Sequence, residues 1–261
     1  MSKTHNVTST PKDDMFYELR IYHPAPGRLG DLVERIGSVM PPFFEQHGFS
    51  PRLGQWTAVA GAPAPVFAWL LRWSDFAERA AAFAGLGADL QWNALRVETN
   101  GPGEMVRRYD LRFLTPAQAW LTFNAGRAAA QHCGLYELRV LPIAVGRTRQ
   151  ADAVLANVDL PALAASGTTV AGVFDNVSGP ATPGVSMLLG WSDFGHRRES
   201  LAAYEAMPDV IQARRREREQ WAGEHLLGEA SCMLLEPTRH GAVDLARTKP
   251  VIAPSSDQGQ V

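Results

Sequence analysis

One pattern is written into this chain twice. Tyr17-Glu18-Leu19-Arg20-Ile21 reappears 119 positions later as Tyr136-Glu137-Leu138-Arg139-Val140, and Gly27-Arg28 reappears as Gly146-Arg147. Trp73-Ser74-Asp75-Phe76, with Arg79, comes back 118 positions on as Trp191-Ser192-Asp193-Phe194 with Arg197. Leu114-Thr115-Pro116 is echoed by Leu235-Glu236-Pro237. Blocks that keep their order at a nearly constant offset mean a duplicated structural unit. Two copies of one unit commonly pack about a pseudo-two-fold axis. The spacing divides the chain into a first repeat at 15–116 and a second at 135–238. Between them, 117–134 is an alanine-rich linker with room for a short helix. Segment 1–14 reads as a disordered N-terminus and 239–261 as a flexible tail, both lacking apolar periodicity.

Each repeat gives the same element order. In the first, 16–22 alternates as a strand, and Pro26-Gly27 breaks the chain. Leu29, Leu32, Val33, Ile36, Val39 and Met40 then follow helical spacing until Pro41-Pro42 ends or kinks the helix. Strands follow at 53–59 and 66–73, the latter continuously apolar and so buried on both faces. Ser74 is placed to cap a helix running through Phe83, a second helical stretch covers 89–97, and a strand covers 106–114. The second copy repeats this with strands at 135–141, 169–175, 185–191 and 229–235. The order β-α-β-β-α-β is that of a ferredoxin-like unit, whose sheet carries helices on one face only. The predicted fold class is therefore α+β: two ferredoxin-like repeats packed sheet to sheet as an α+β barrel within one chain.

Composition narrows the partners. A net charge of −2 lacks the basic surplus of a nucleic-acid binder. Two cysteines exclude a disulfide framework. A polar start, and no apolar run long enough to span a bilayer, argue against a secretory signal or membrane span and for a cytoplasmic protein.

Taken together, Tyr17-Glu18-Leu19-Arg20-Ile21-Tyr22, Pro26-Gly27, His47-Gly48, Gly54-Gln55-Trp56, Trp73-Ser74-Asp75 and Arg79 resemble the NIPSNAP family. The second copy matches through Tyr136-Glu137-Leu138-Arg139, Gly146, Gly167, Trp191-Ser192-Asp193 and Arg197. It departs where Ser166 replaces the His of His-Gly and where Gly172-Val173-Phe174 lacks a Trp. The resemblance implies the dimeric α+β barrel fold, here as a fused tandem. The wider superfamily of that fold contains cofactor-free monooxygenases, cyclases, isomerases and some haem enzymes, and fold alone does not choose among them.

Candidate chemistry starts on the first strand, where Tyr17, Leu19 and Ile21 share one face and Glu18, Arg20 and Tyr22 the other. If helices cover the Leu19 face, Glu18 and Arg20 point into the barrel, joined there by Glu137 and Arg139. Glu18 is then the candidate general base, Arg20 the partner of an oxyanion or carboxylate, and Tyr22 a donor. The other reading of these charges is a structural ion-pair plug. Tyr22 has no counterpart, because Leu141 stands at its place, so the two halves need not share a site. Arg108, Asp110 and Arg112 alternate on one face of the fourth strand and are candidate ligand contacts or an exposed edge. His47, before Gly48, is either a ligand contact or a helix cap. No histidine stands at metal-ligand spacing, and no phosphate-binding loop is present.

The leading reading is a barrel that binds a small, partly apolar organic ligand without a cofactor or metal, as an isomerase, cyclase or monooxygenase. The alternatives are a non-catalytic scaffold protein and a carrier of haem or another metabolite. Neither nucleic acid nor membrane is an expected partner, and pairing of fused barrels into a homo-oligomer is left open.

Overall fold

A computed structural model describes residues 15–49, 53–127, 132–221 and 225–239. The segments expected as a disordered start, 1–14, and as a tail, 239–261 apart from Arg239, lie outside the described residues. The first repeat runs β1 (Phe16–Pro24), α1 (Leu29–Glu34), α2 (Pro41–Gln46), β2 (Gly54–Ala60), β3 (Phe67–Trp73), α3 (Phe76–Ala88), α4 (Leu90–Asn100) and β4 (Val106–Pro116). Helix α5 (Gln118–Asn124) occupies the linker. The second repeat runs β5 (Leu135–Pro142), α6 (Thr148–Val154), α7 (Leu160–Ala165), β6 (Thr169–Asn176), β7 (Gly184–Trp191), α8 (Phe194–Glu205), α9 (Pro208–Gln220) and β8 (Ser231–Pro237). Among the described residues, no helix is long and apolar enough to cross a membrane.

Local chemistry explains the repeated blocks. Gly27 and Gly146 take φ of 77° and 78°, a left-handed turn that costs glycine little, just ahead of α1 and α6. Arg28 beside it donates to the Thr99 and Asn100 carbonyls at the end of α4, and Arg147 stacks 3.7 Å above the Trp221 ring just past α9. The α3 cap is Asp75, whose carboxylate accepts from the Glu78 amide, while Glu78 reaches back to the Ser74 amide and hydroxyl. The expected cap, Ser74, thus stands one residue early. Asp193 caps α8 in the same way. Pro41-Pro42 does not end the helical run. It opens α2, in the first turn, where proline is tolerated. Between α1 and α2 the chain makes a π-helical turn at Arg35–Val39, and the second copy makes one at Leu155–Asp159.

The strands close into an antiparallel barrel in the order β1-β3-β2-β8-β5-β7-β6-β4, with β4 returning to β1. The halves join edge to edge at two seams, β2 with β8 and β4 with β6. The predicted sheet-to-sheet packing is therefore a closed ring with no free edges. Each half keeps all four of its strands together.

The faces of β1 are the reverse of the sequence expectation. Tyr17, Leu19 and Ile21 belong to a buried cluster with Trp56, Leu70, Leu114, Tyr136, Leu138, Leu188 and Leu235, drawn from both repeats, and this cluster fills the barrel interior. A second cluster packs Phe16, Trp69, Leu71 and Trp73 against α1 to α4, and a third packs β6 and β7 against α5 to α7. Glu18, Arg20 and Tyr22 share the outer face with Phe16, beneath the helices, and Glu137 and Arg139 occupy the equivalent place. The physical reason is the position of the counter-charge. Arg79 and Arg197 are carried on α3 and α8, outside the barrel, so a strand carboxylate meets them only from the outer face.

There Glu18, fully buried, accepts four hydrogen bonds: from Arg20 Nη1 (2.5 Å), Arg79 Nη2 (2.8 Å), Arg79 Nε (2.8 Å) and Trp73 Nε1 (2.9 Å). Glu137 accepts from Arg139 Nε (2.6 Å) and Arg197 Nε (2.7 Å), with Arg197 Nη2 also in contact. Burial raises the Glu137 pKa, but the two guanidinium groups outweigh it and hold the carboxyl below the usual range. Trp191 turns its Nε1 to Thr168 instead.

Glu18→Gln leaves Arg20 and Arg79 beneath the helices with no carboxylate, and should lower stability by about 3–5 kcal/mol. The urea midpoint measures this, and an unchanged midpoint contradicts the structural role. A second prediction concerns Asp175 on β6. Burial, and then the charge of Asp152, push its carboxyl from 3.8 up to about 6. The folded state therefore holds this proton more tightly than the unfolded chain, and the contribution to stability falls as pH rises from 3.8 through about 6. Asp175→Asn should remove that fall, so its urea midpoint rises relative to wild type between pH 4 and pH 7. Parallel profiles would contradict the assignment.

Candidate functional site

The helices do not seal fully against the outer face of the first half. A cavity of about 290 Å³ lies there, between β1, β3 and β4 below and α1 to α4 above. Its walls are mostly apolar and aromatic, with Trp69 on the sheet side and Phe83, Leu86 and Trp92 on the helix side. Its polar lining includes Tyr22, Tyr109, Arg35 and Arg96.

Tyr22 is placed by the alternation of β1, two residues beyond Arg20 on the same face. Arg20 divides its donors, with Nη1 on Glu18 and Nε on the Tyr22 hydroxyl at 2.9 Å. Its guanidinium carbon lies 4.6 Å from the Phe83 centroid and 5.4 Å from that of Tyr22, so the charge is enclosed by rings. Burial pushes the Tyr22 pKa up, against a smaller downward pull from Arg20. The phenol therefore stays protonated across the physiological range. Because Arg20 fills an acceptor position, the hydroxyl proton is left to donate, and among the described residues nothing accepts it. This is the arrangement of an oriented neutral donor facing a largely apolar cavity.

The remaining sequence-predicted residues fall elsewhere. Glu18 lies beneath this site, and its four accepted bonds leave no lone pair free for proton abstraction, so it is not a general base here. His47 ends α2, and its Nε2 lies 2.8 Å from Asp89 Oδ2, tying α2 to the cap of α4. The Trp92 amide and His47 together hold the Asp89 carboxyl below its ordinary value. Arg108, Asp110 and Arg112 pair with His23, Ile21 and Leu19 and so face the barrel interior at one end. There Asp110 contacts His23 (3.0 Å) and Arg108 (2.9 Å), while burial depresses the pKa of Arg112. None of these residues meets Tyr22 in one site.

The second half has a cavity of about 270 Å³ in the equivalent place, with different chemistry. Arg139 lines it, but Leu141 stands where Tyr22 stands in the first half. Arg214 Nη2 donates to Asp159 Oδ1 (2.6 Å) and Nη1 reaches Glu217 Oε2 (3.5 Å), while the Tyr204 hydroxyl also donates to Asp159 (2.8 Å). Arg214 belongs to an arginine run that reads as a solvated helix face. Arg215 fits that reading through Glu219 at 3.0 Å, whereas Arg214 turns inward.

Sequence reasoning missed Arg35, Arg96, Trp69 and Tyr109 as a group. One signal was available for Arg35. It stands on the apolar stripe of its helical run, three residues after Leu32 and four before Val39.

Haem needs an axial ligand aimed into its pocket. Among the described residues no histidine or cysteine lines the first cavity, and in the second His225 is half-exposed, its Nδ1 3.9 Å from Glu217. These residues do not fit a haem. Among the described residues, no group of three or more His, Cys, Asp or Glu gathers to hold a metal ion.

The NIPSNAP family model matches residues 17–119. No curated protein is similar to the chain in sequence. Among solved structures, a candidate monooxygenase from Lactobacillus acidophilus NCFM is similar at a TM-score of 0.55 and 9% identity, over 88% of this chain and 97% of that one. A mutant chlorite dismutase from Candidatus Nitrospira defluvii is similar at a TM-score of 0.52 and 6% identity, over 91% and 94%. At such identities the likeness concerns the fold alone. A NIPSNAP family protein from Agrobacterium tumefaciens str. C58 aligns over 40% of this chain and 94% of its own at 18% identity, with a TM-score of 0.34. The segment that matches the NIPSNAP family model lies in the first half of the chain, the half that holds Tyr22 and the apolar cavity.

Proposed function

We propose that the first half binds a small, partly apolar organic molecule in the cavity between its sheet and helices, and acts on it without a cofactor, as an isomerase, cyclase or monooxygenase. The observation that carries this is the Tyr22 hydroxyl: half-buried, held protonated, oriented by Arg20 and left to donate into a cavity of about 290 Å³. A carbonyl oxygen of the ligand accepts from Tyr22. A positioned donor of this kind strengthens its hydrogen bond as negative charge develops on the oxygen it holds. The second half supports the first as scaffold. The strand order within each half, with its fourth strand beside the first, fits a ferredoxin-like unit, and duplication of one such unit accounts for the shared blocks.

The place of binding also changes from the sequence expectation. Packed side chains fill the barrel interior, so the ligand belongs outside the barrel and under the helices. 2-Naphthol, a planar ring with one oxygen, is a suitable probe by isothermal titration calorimetry. Wild type should bind it at one site. Tyr22→Phe should weaken it by about 3- to 10-fold, one neutral hydrogen bond, and Leu86→Trp, which fills the cavity, should abolish binding. Tyr204→Phe, in the second cavity, should leave it unchanged. Binding that survives Leu86→Trp would place the ligand elsewhere.

A further inference from the structure

Arg35 is buried to 6% exposure on the π-helical turn and lines the same cavity. Its partners are neutral. Nη2 donates to the Asn100 side-chain oxygen at 2.6 Å and to the Arg96 carbonyl at 3.5 Å, and Nε is buried with no acceptor. Among the described residues it forms no ion pair. The lining carboxylate, Glu104, is already held by Arg96 (2.7 Å) and by the Asn100 amide (2.8 Å), and is more than half exposed. Burial, and then the nearby positive charge of Arg96, lower the pKa of Arg35. Buried guanidinium groups are ordinarily paired, because desolvation of an unpaired charge is costly. A π-helical turn is also a frequent mark of a functional position. The equivalent turn of the second half places Leu155 and Asp159 at its cavity and no arginine.

We infer that the ligand of the first cavity is an anion: a planar, apolar monocarboxylate whose carboxylate pairs with Arg35. Its ring lies between Trp69 on the sheet and Phe83 and Trp92 on the helices, and Tyr22 donates to an oxygen on its other side. The carboxylate would accept from the Arg35 donors that lack a carboxylate partner, which is the planar recognition a guanidinium makes best. The inference rests on the reading that this cavity holds a small organic molecule, and it adds the charge that the molecule must carry.

Calorimetric titration with 2-naphthoate and 2-naphthamide, matched in shape and different in charge, tests it. Wild type should bind 2-naphthoate at least about tenfold more tightly, a charged hydrogen-bonded pair. Arg35→Met should remove that preference while leaving 2-naphthamide affinity within about twofold, and Arg35→Lys should restore part of it. Arg35→Met removes a buried charge without a counter-ion, so its urea midpoint should hold or rise, and Arg35→Gln provides a second neutral variant. Equal binding of the two probes by wild type, or a preference that survives in Arg35→Met and Arg35→Gln, overturns the inference and leaves the cavity reading standing. Failure of both probes to bind, or binding indifferent to Leu86→Trp, overturns the cavity reading and the inference with it.

Discussion

A carboxylate held among guanidinium groups, buried between sheet and helix, organises each half of this protein. Glu18 gathers Arg20 from its own strand, Trp73 from the end of β3 and Arg79 from α3. It therefore fixes the register of β1 against the helix layer as well as neutralising charge. A carboxylate with four accepted bonds has its lone pairs satisfied, which is the condition under which a buried ion cluster is tolerated. The repeated sequence blocks are the parts of this cluster: Glu-x-Arg supplies the strand side, and Trp-Ser-Asp with its following arginine supplies the capped helix that returns to it. Because Arg20 is anchored by Glu18, its remaining Nε is positioned on Tyr22, and the structural cluster thereby orients the Tyr22 donor at the first cavity.

The two halves share a frame, and their cavities differ. Both halves carry a π-helical turn after the first helix of the repeat, and both have a cavity of similar size at the equivalent place. The first is apolar and aromatic, with a guanidinium that forms no ion pair among the described residues. The second is occupied by its own polar network, in which Asp159, Tyr204, Arg214 and Glu217 satisfy much of one another. A closed ring of strands makes this divergence tolerable, since each half borrows edge pairing from the other.

Much of the architecture was legible in the sequence, because it depends on periodicity and repetition. The order of strands and helices and the burial of β3 follow from the blocks and from the apolar patterning of the strands. The direction of β1 was not legible from alternation, since both of its faces are buried and apolar residues stand on each. The missing information was the long-range partner: Arg79 recurs with Glu18 at nearly the same offset, and that coupling marks the face shared by strand and helix. The site was legible only in part. Tyr22 stood out because Leu141 replaces it, whereas Arg35 is joined to the site by tertiary packing across α1, α4 and the sheet. Arg214 shows the same limit, since an arginine run on a surface helix gives no local sign of which member turns inward.

The most direct test of this arrangement is a double-mutant cycle between Glu18 and Arg79, built from Glu18→Gln, Arg79→Met and the double variant, and read by urea unfolding. Contact between strand and helix beneath the helix layer predicts a coupling of about 1–3 kcal/mol, with the double variant less destabilised than the sum of the single variants. Additivity within about 0.5 kcal/mol would mean that the two side chains do not meet. Glu18 would then face some other surface, and the placement of Tyr22 and its cavity would fall with it.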